Sequence, residues 1–92
     1  MKQPPDTIDG AKVLFWALSH PEPIFIMRSA DGKVAINIHG LAVCQYPNGQ
    51  THRFSCDEKW ETQNDIDCDT PEQALTAPSY QYDVSKVNWN KK

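Results

Sequence analysis

The chain has 92 residues, with 12 acidic against 9 basic side chains, a net charge of −3 and a sequence pI near 5.4. That length suits one domain around one modest core, and the acidic balance argues against sequence-independent binding to nucleic acid or to an anionic membrane surface, both of which need a basic face. No apolar run approaches the roughly 20 residues that span a bilayer, and MKQPPDTIDG lacks the apolar stretch of a secretion signal, so a cytoplasmic protein with reduced thiols is expected.

Residues 1–9 are polar and proline-bearing and read as an extended lead-in. AKVLFWAL (11–18) is an apolar run too short for a convincing helix, so it is expected as a largely buried strand, ended by the prolines of SHPEP. IFIMRSA (24–30) and KVAINIH (33–39) flank Asp31-Gly32, a strong hairpin signal. Pairing across it sets Phe25 and Met27 on one face with Val34, Ile36 and Ile38. Apolar positions then shift phase, from 34, 36 and 38 to 41 and 43, and a glycine bulge at Gly40 accounts for the change. LAVCQY (41–46) runs to a turn at Asn48-Gly49, and THRFSCDEKWE (51–61) returns with Phe54, Cys56 and Trp60 inward and Arg53, Ser55 and Asp57 outward.

A polar loop follows. DTPEQALTA (69–77) then carries helix start signals: Thr70 as N-cap, Pro71 at the first position and Gln73 completing a capping box, with Pro78 as the stop. YDVSKVNW (82–89) alternates weakly and reads as a last edge strand, leaving 90–92 as a frayed tail. The expected architecture is a single α+β domain over 1–92, an antiparallel sheet of five to six strands bent at Gly40 with one short C-terminal helix.

His39, Cys44, His52 and Cys56 look at first like four zinc ligands. A two-residue turn at Asn48-Gly49 sets Cys44 opposite Arg53, Val43 opposite Phe54 and Leu41 opposite Cys56, which divides the four between two faces. Moreover, residues four apart on a strand lie ~13 Å apart while zinc bonds are about 2.0–2.3 Å long. Asp65, Asp67 and Asp69 have the spacing that opens a calcium loop, but Thr70 stands where such a loop needs glycine and Thr76 where it needs glutamate. Neither pattern points to a metal, and no cofactor motif is present, nor any nucleophile elbow, phosphate loop or zinc-protease helix.

Two surfaces remain. Residues 57–72 hold seven acids against Lys59, and Asp57, Glu61, Asp65 and Asp67 form a candidate face for a basic protein partner. Trp16, His39, Cys44, Tyr46, Glu58 and Trp60 are candidate pocket or interface residues, with Glu58 on the core side by its parity. The mixed face carrying Ile24, Ile26, Ala42, Cys44 and Tyr46, together with an uncovered terminal strand, points to a homodimer.

Together, IDGAKVLFWA, IHGLAVCQY and RFSCDEKWE resemble a group of short single-domain bacterial proteins of the kind carried on mobile gene cassettes such as integrons. The resemblance covers most of the chain and carries no catalytic motif. It implies a bacterial cytosolic accessory protein acting in defence, toxin immunity or stress. The expected function is a non-enzymatic, self-associating binding domain, an inhibitor or immunity-type protein in its specific form. The alternative is a small-molecule-binding or weakly enzymatic domain with an aromatic-lined pocket.

Overall fold

The computed structural model describes residues 1–92. β1 (Thr7–Ile8) and β2 (Ala11–Leu18) form a hairpin whose central residues, Asp9 and Gly10, both have positive φ (52° and 78°), the turn geometry that matches strand twist. The lead-in therefore ends in a strand. β3 (Phe25–Arg28) and β4 (Ala35–Ile38) make a separate two-stranded sheet in which Phe25 opposes Ile38 and Met27 opposes Ile36, so these four share a face as the Asp31-Gly32 signal implied. The main sheet runs β1-β2-β5-β6-β7, with β5 at Gly40–Gln45, β6 at Thr51–Cys56 and β7 at Thr62–Cys68.

Three expectations about this sheet are corrected. At Gly40 the chain passes from the small sheet to the large one, so the change of phase is a change of sheet; the bulges lie at Leu14 in β2 and near Gln63 in β7. The hairpin after β5 has a three-residue loop, in which Gly49 N donates to the Tyr46 carbonyl, Tyr46 N donates to the Gln50 carbonyl, and Gly49 takes φ 91°. That moves the register by one residue: Cys44 opposes His52, Val43 opposes Arg53 and Ala42 opposes Phe54. Finally, the segment expected as a polar loop is β7. TQNDIDC holds one large aliphatic residue, Ile66, so it has no apolar alternation to reveal it.

The register shift decides what lies inside. Cys44, His52, Phe54 and Cys56 face one side of the sheet with Val13 and Ala42, while Leu41, Val43 and Arg53 face the other. β5 is buried on both faces. Ile8, Ala11, Val13, Ala42, Cys44, Phe54, Cys56 and Trp60 form the main cluster on the first side. On the second, Phe25, Ile38 and Leu41 gather Tyr82, Val87 and Trp89 around them.

The helix α1 (Pro71–Ala74) is a single turn. Thr70 Oγ1 accepts from Gln73 N (3.1 Å), as expected, but the Gln73 side chain accepts from Asp69 N (2.6 Å) rather than from the cap residue's own amide. Arg53, expected to face water, is buried. Its guanidinium donates to the carbonyls of Ala74 (2.9 Å) and Ala77 (2.7 Å), and lies 5.5 Å from the Tyr82 ring centre. It thus satisfies carbonyls that a helix end leaves without partners.

The expected last strand over 82–89 is instead a 3₁₀ turn at Val84–Lys86 followed by Trp89, whose indole N–H donates to the Leu75 carbonyl (3.0 Å). Nor does the tail fray: β8 (Asn90–Lys91) pairs with β2 at Phe15 and Trp16, and Lys92 Nζ donates to the Pro4 carbonyl (2.9 Å). No helix is long and apolar enough to cross a membrane.

Candidate functional site

The turn between β6 and β7 repeats the bonding of the Tyr46–Gln50 loop. Asp57 N donates to the Glu61 carbonyl, and Trp60 N donates to the Asp57 carbonyl. Asp57 Oδ1 also accepts from the amides of Lys59 and Glu61, each at 2.9 Å. The left-handed position that Gly49 fills in one loop is filled here by Trp60, at φ 64°. A bulky side chain in that region is strained, and the ring that results is held on several sides. It lies over Gly40, stands edge-on to Trp16 (6.4 Å, 86°), and its indole N–H donates to the Lys2 carbonyl (2.8 Å).

Beside Trp60 opens a cleft of about 610 Å³, lined by Ile8, Tyr46, Phe54 and Trp60 together with the carboxylates of Asp9, Glu61 and Asp65. Lys59 is the one base in its lining. The Tyr46 hydroxyl donates to Asp9, and this bond, followed by desolvation and nearby carboxylate charge, pushes the phenol up to about 12.

His52 does not line the cleft but packs against three residues that do, Tyr46, Phe54 and Asp65. Its ring stacks on Phe54 (5.8 Å, 12°) and meets Tyr46 edge-on (5.3 Å, 86°). Its Nδ1 lies 2.9 Å from Asp65 Oδ2 and 3.0 Å from Asp67 Oδ1. These three form the one group of three or more His, Cys, Asp or Glu whose ligand atoms all lie within 4.8 Å of one another.

The two expected surfaces therefore meet in part. Glu61 and Asp65 from the acidic set share the cleft with Tyr46 and Trp60 from the pocket set. Asp67 reaches His52, whereas the Asp57 carboxylate is engaged in its own turn. Trp16 packs behind Trp60. Cys44, expected to meet water, a helix or another subunit, is fully buried within the chain, and burial followed by the charge of Cys56 pushes its thiol up to about 12. Cys56 is buried likewise, and burial sets its thiol at about 12 as well.

His39 is buried at the junction of the two sheets, with Nδ1 2.8 Å from the Ser19 carbonyl oxygen. Glu58, expected on the core side, is exposed in the turn and lies 3.7 Å from His20 Nε2. The four residues of the apparent zinc set form no convergent group.

Sequence reasoning did not single out Asp9 or Phe54 as site residues, and weighed His52 with His39, Cys44 and Cys56 rather than with Asp65 and Asp67. The alternate spacing of Asp65 and Asp67, weighed as a calcium loop, is the period of a strand and puts both on one face. Their meeting with His52 depends on β7. No family model, curated protein or solved structure matches the chain.

Proposed function

We propose that the protein is a non-enzymatic binding domain whose cleft receives a basic side chain from a protein partner. One observation carries this reading: aromatic residues (Tyr46, Phe54, Trp60) and acidic residues (Asp9, Glu61, Asp65) line the same cleft. Aromatic rings attract a cation through their faces, and a carboxylate completes a guanidinium or ammonium site with charge-assisted hydrogen bonds. The strain at Trp60 fits the same reading, because such conformations collect where a binding surface needs a side chain in one place.

An inhibitor or immunity-type role in a bacterial cytosol accords with an acidic binding face and with the resemblance to cassette-borne proteins. Titration of the protein with an arginine-rich peptide, followed by Trp fluorescence, tests the reading. Glu61→Lys with Asp65→Lys should weaken binding by at least about tenfold, since close charge pairs at interfaces couple by 1.5 kcal/mol or more. Equal binding by this variant overturns the reading.

The cleft volume also lies within the range of small-ligand sites. Free arginine amide binding as tightly as the peptide would favour that second reading. Self-association is proposed through the β3–β4 hairpin, where Ile26 and Val34 are about half exposed. Ala42 and Cys44, expected on the shared face, are buried and take no part. A clean monomer in sedimentation at high micromolar concentration would remove the dimer.

A further inference from the structure

The His52 ring presents one nitrogen to two carboxylates. Nδ1 carries at most one hydrogen, whether the ring is neutral or protonated. Yet Asp65 Oδ2 and Asp67 Oδ1 lie at 2.9 and 3.0 Å from it, on the same side of the sheet. A single hydrogen cannot make two well-aligned bonds; the aligned one runs to Asp65, so Asp67 Oδ1 meets the same nitrogen with no hydrogen of its own between them. No lysine or arginine pairs with either aspartate. The ion pairs of Asp65 and Asp67 are with His52 alone, and the neighbouring Arg53 faces the opposite side of the sheet, bound to the carbonyls of Ala74 and Ala77.

We infer that His52, Asp65 and Asp67 bind a divalent first-row transition-metal ion at the rim of the cleft. An ion at their meeting point gives each donor atom its own partner: the Nδ1 lone pair and one oxygen from each aspartate. The spacing suits this. Neighbouring ligands around an ion bonded at about 2.1 Å lie about 3.0–3.4 Å apart, close to the separations between Nδ1 and the two oxygens.

The fold holds the set in place. Asp67 is the direct cross-strand partner of His52, and Asp65, opposite Phe54, is its diagonal neighbour on the same face. The imidazole is fixed between Phe54 and Tyr46 and is only 16% exposed, so little freedom remains to be lost on binding. One imidazole with two carboxylates suits Zn²⁺, Mn²⁺ or Fe²⁺; Ca²⁺ is disfavoured because it takes six to eight oxygen ligands. Three protein donors leave a coordination position open for water or a ligand, as in zinc sites that bind substrate. Because Asp65 lines the cleft, that position lies beside it.

Calorimetric titration of chelator-treated protein with zinc chloride, and separately with manganese chloride, tests the inference. One saturable site is expected, with calcium failing to compete. Asp67→Asn, at a side chain 89% exposed and therefore safe for folding, should weaken zinc at least about tenfold, as should His52→Gln, because each removes one of three ligands. Cys68→Ser should leave the affinity unchanged. Manganese should broaden the amide resonances of residues 52, 65 and 67 in a ¹⁵N correlation spectrum. The inference is overturned by an absence of saturable uptake, by unchanged affinity in Asp67→Asn, by equal binding of calcium, or by broadening centred on His20 and His39.

Asp67 does not line the cleft, so this site and the peptide site can fail separately. Asp67→Asn should lose the metal and keep the arginine-rich peptide.

Discussion

Trp60 stands where the matching loop has Gly49, and the cost of its left-handed backbone is offset by what its ring covers. The closest of these contacts is Gly40. A methyl group there would lie 2.5 Å from the Trp60 ring, inside any tolerable contact. Gly40→Ala should therefore displace the ring and destabilise the protein by about 1–3 kcal/mol, the usual cost of overpacking. Urea unfolding measures it, and a loss under ~0.5 kcal/mol would show that the ring moves freely.

Tyr46 gives a test in alkali. The native state holds the phenolic proton more tightly than the unfolded chain, raising the group from 10 to about 12. The stabilisation is therefore complete below pH 10 and is lost as pH rises toward 12. Asp9→Asn removes the leading cause, so the Tyr46 component of the 295 nm absorbance titration should move to lower pH. A midpoint that stays in place would mean that the Asp9 bond is not what holds the proton.

Among the elements, strands were legible where apolar periodicity or a turn signal marked them. β2 shows as an apolar run and the β3–β4 facing as a consequence of Asp31-Gly32. β7 shows neither, because an edge strand facing solvent has little apolar surface to hide, and Ile66 alone makes no pattern. The β5–β6 hairpin was legible as a turn but not in register, since Pro47-Asn48-Gly49 also forms a three-residue loop, and one residue of difference exchanges the two faces of a strand.

The site inherited both gaps. Tyr46, Trp60, Glu61 and Asp65 stood out by residue type, but their shared cleft, and the meeting of His52 with two aspartates, exist only once β7 is paired. Arg53 is the corresponding case on the other face. An isolated arginine in a strand reads as exposed, whereas here it closes the end of α1. Arg53→Met should leave the carbonyls of Ala74 and Ala77 without their donor and cost about 2–3 kcal/mol. A stability equal to that of the parent chain would mean that water replaces the guanidinium fully.

At the scale of the whole molecule, a main sheet carries one covered face and one cleft face, and its two ends of chain meet along β2. β1 pairs with one part of that strand and β8 with the next. The Lys2 carbonyl holds the Trp60 indole, so the cleft depends on the chain's beginning as much as on its middle. The Lys92 ammonium bound to the Pro4 carbonyl brings residues 4 and 92 within a side chain's reach. A circular permutant, with a short glycine-serine linker joining 92 to 1 and new ends opened between Ala30 and Asp31 in the exposed β3–β4 loop, should fold to the same sheet and retain its cleft. Matching amide spectra for residues 40–68 in the two connectivities would establish it, and an unfolded permutant would show that chain order matters more than the contacts do.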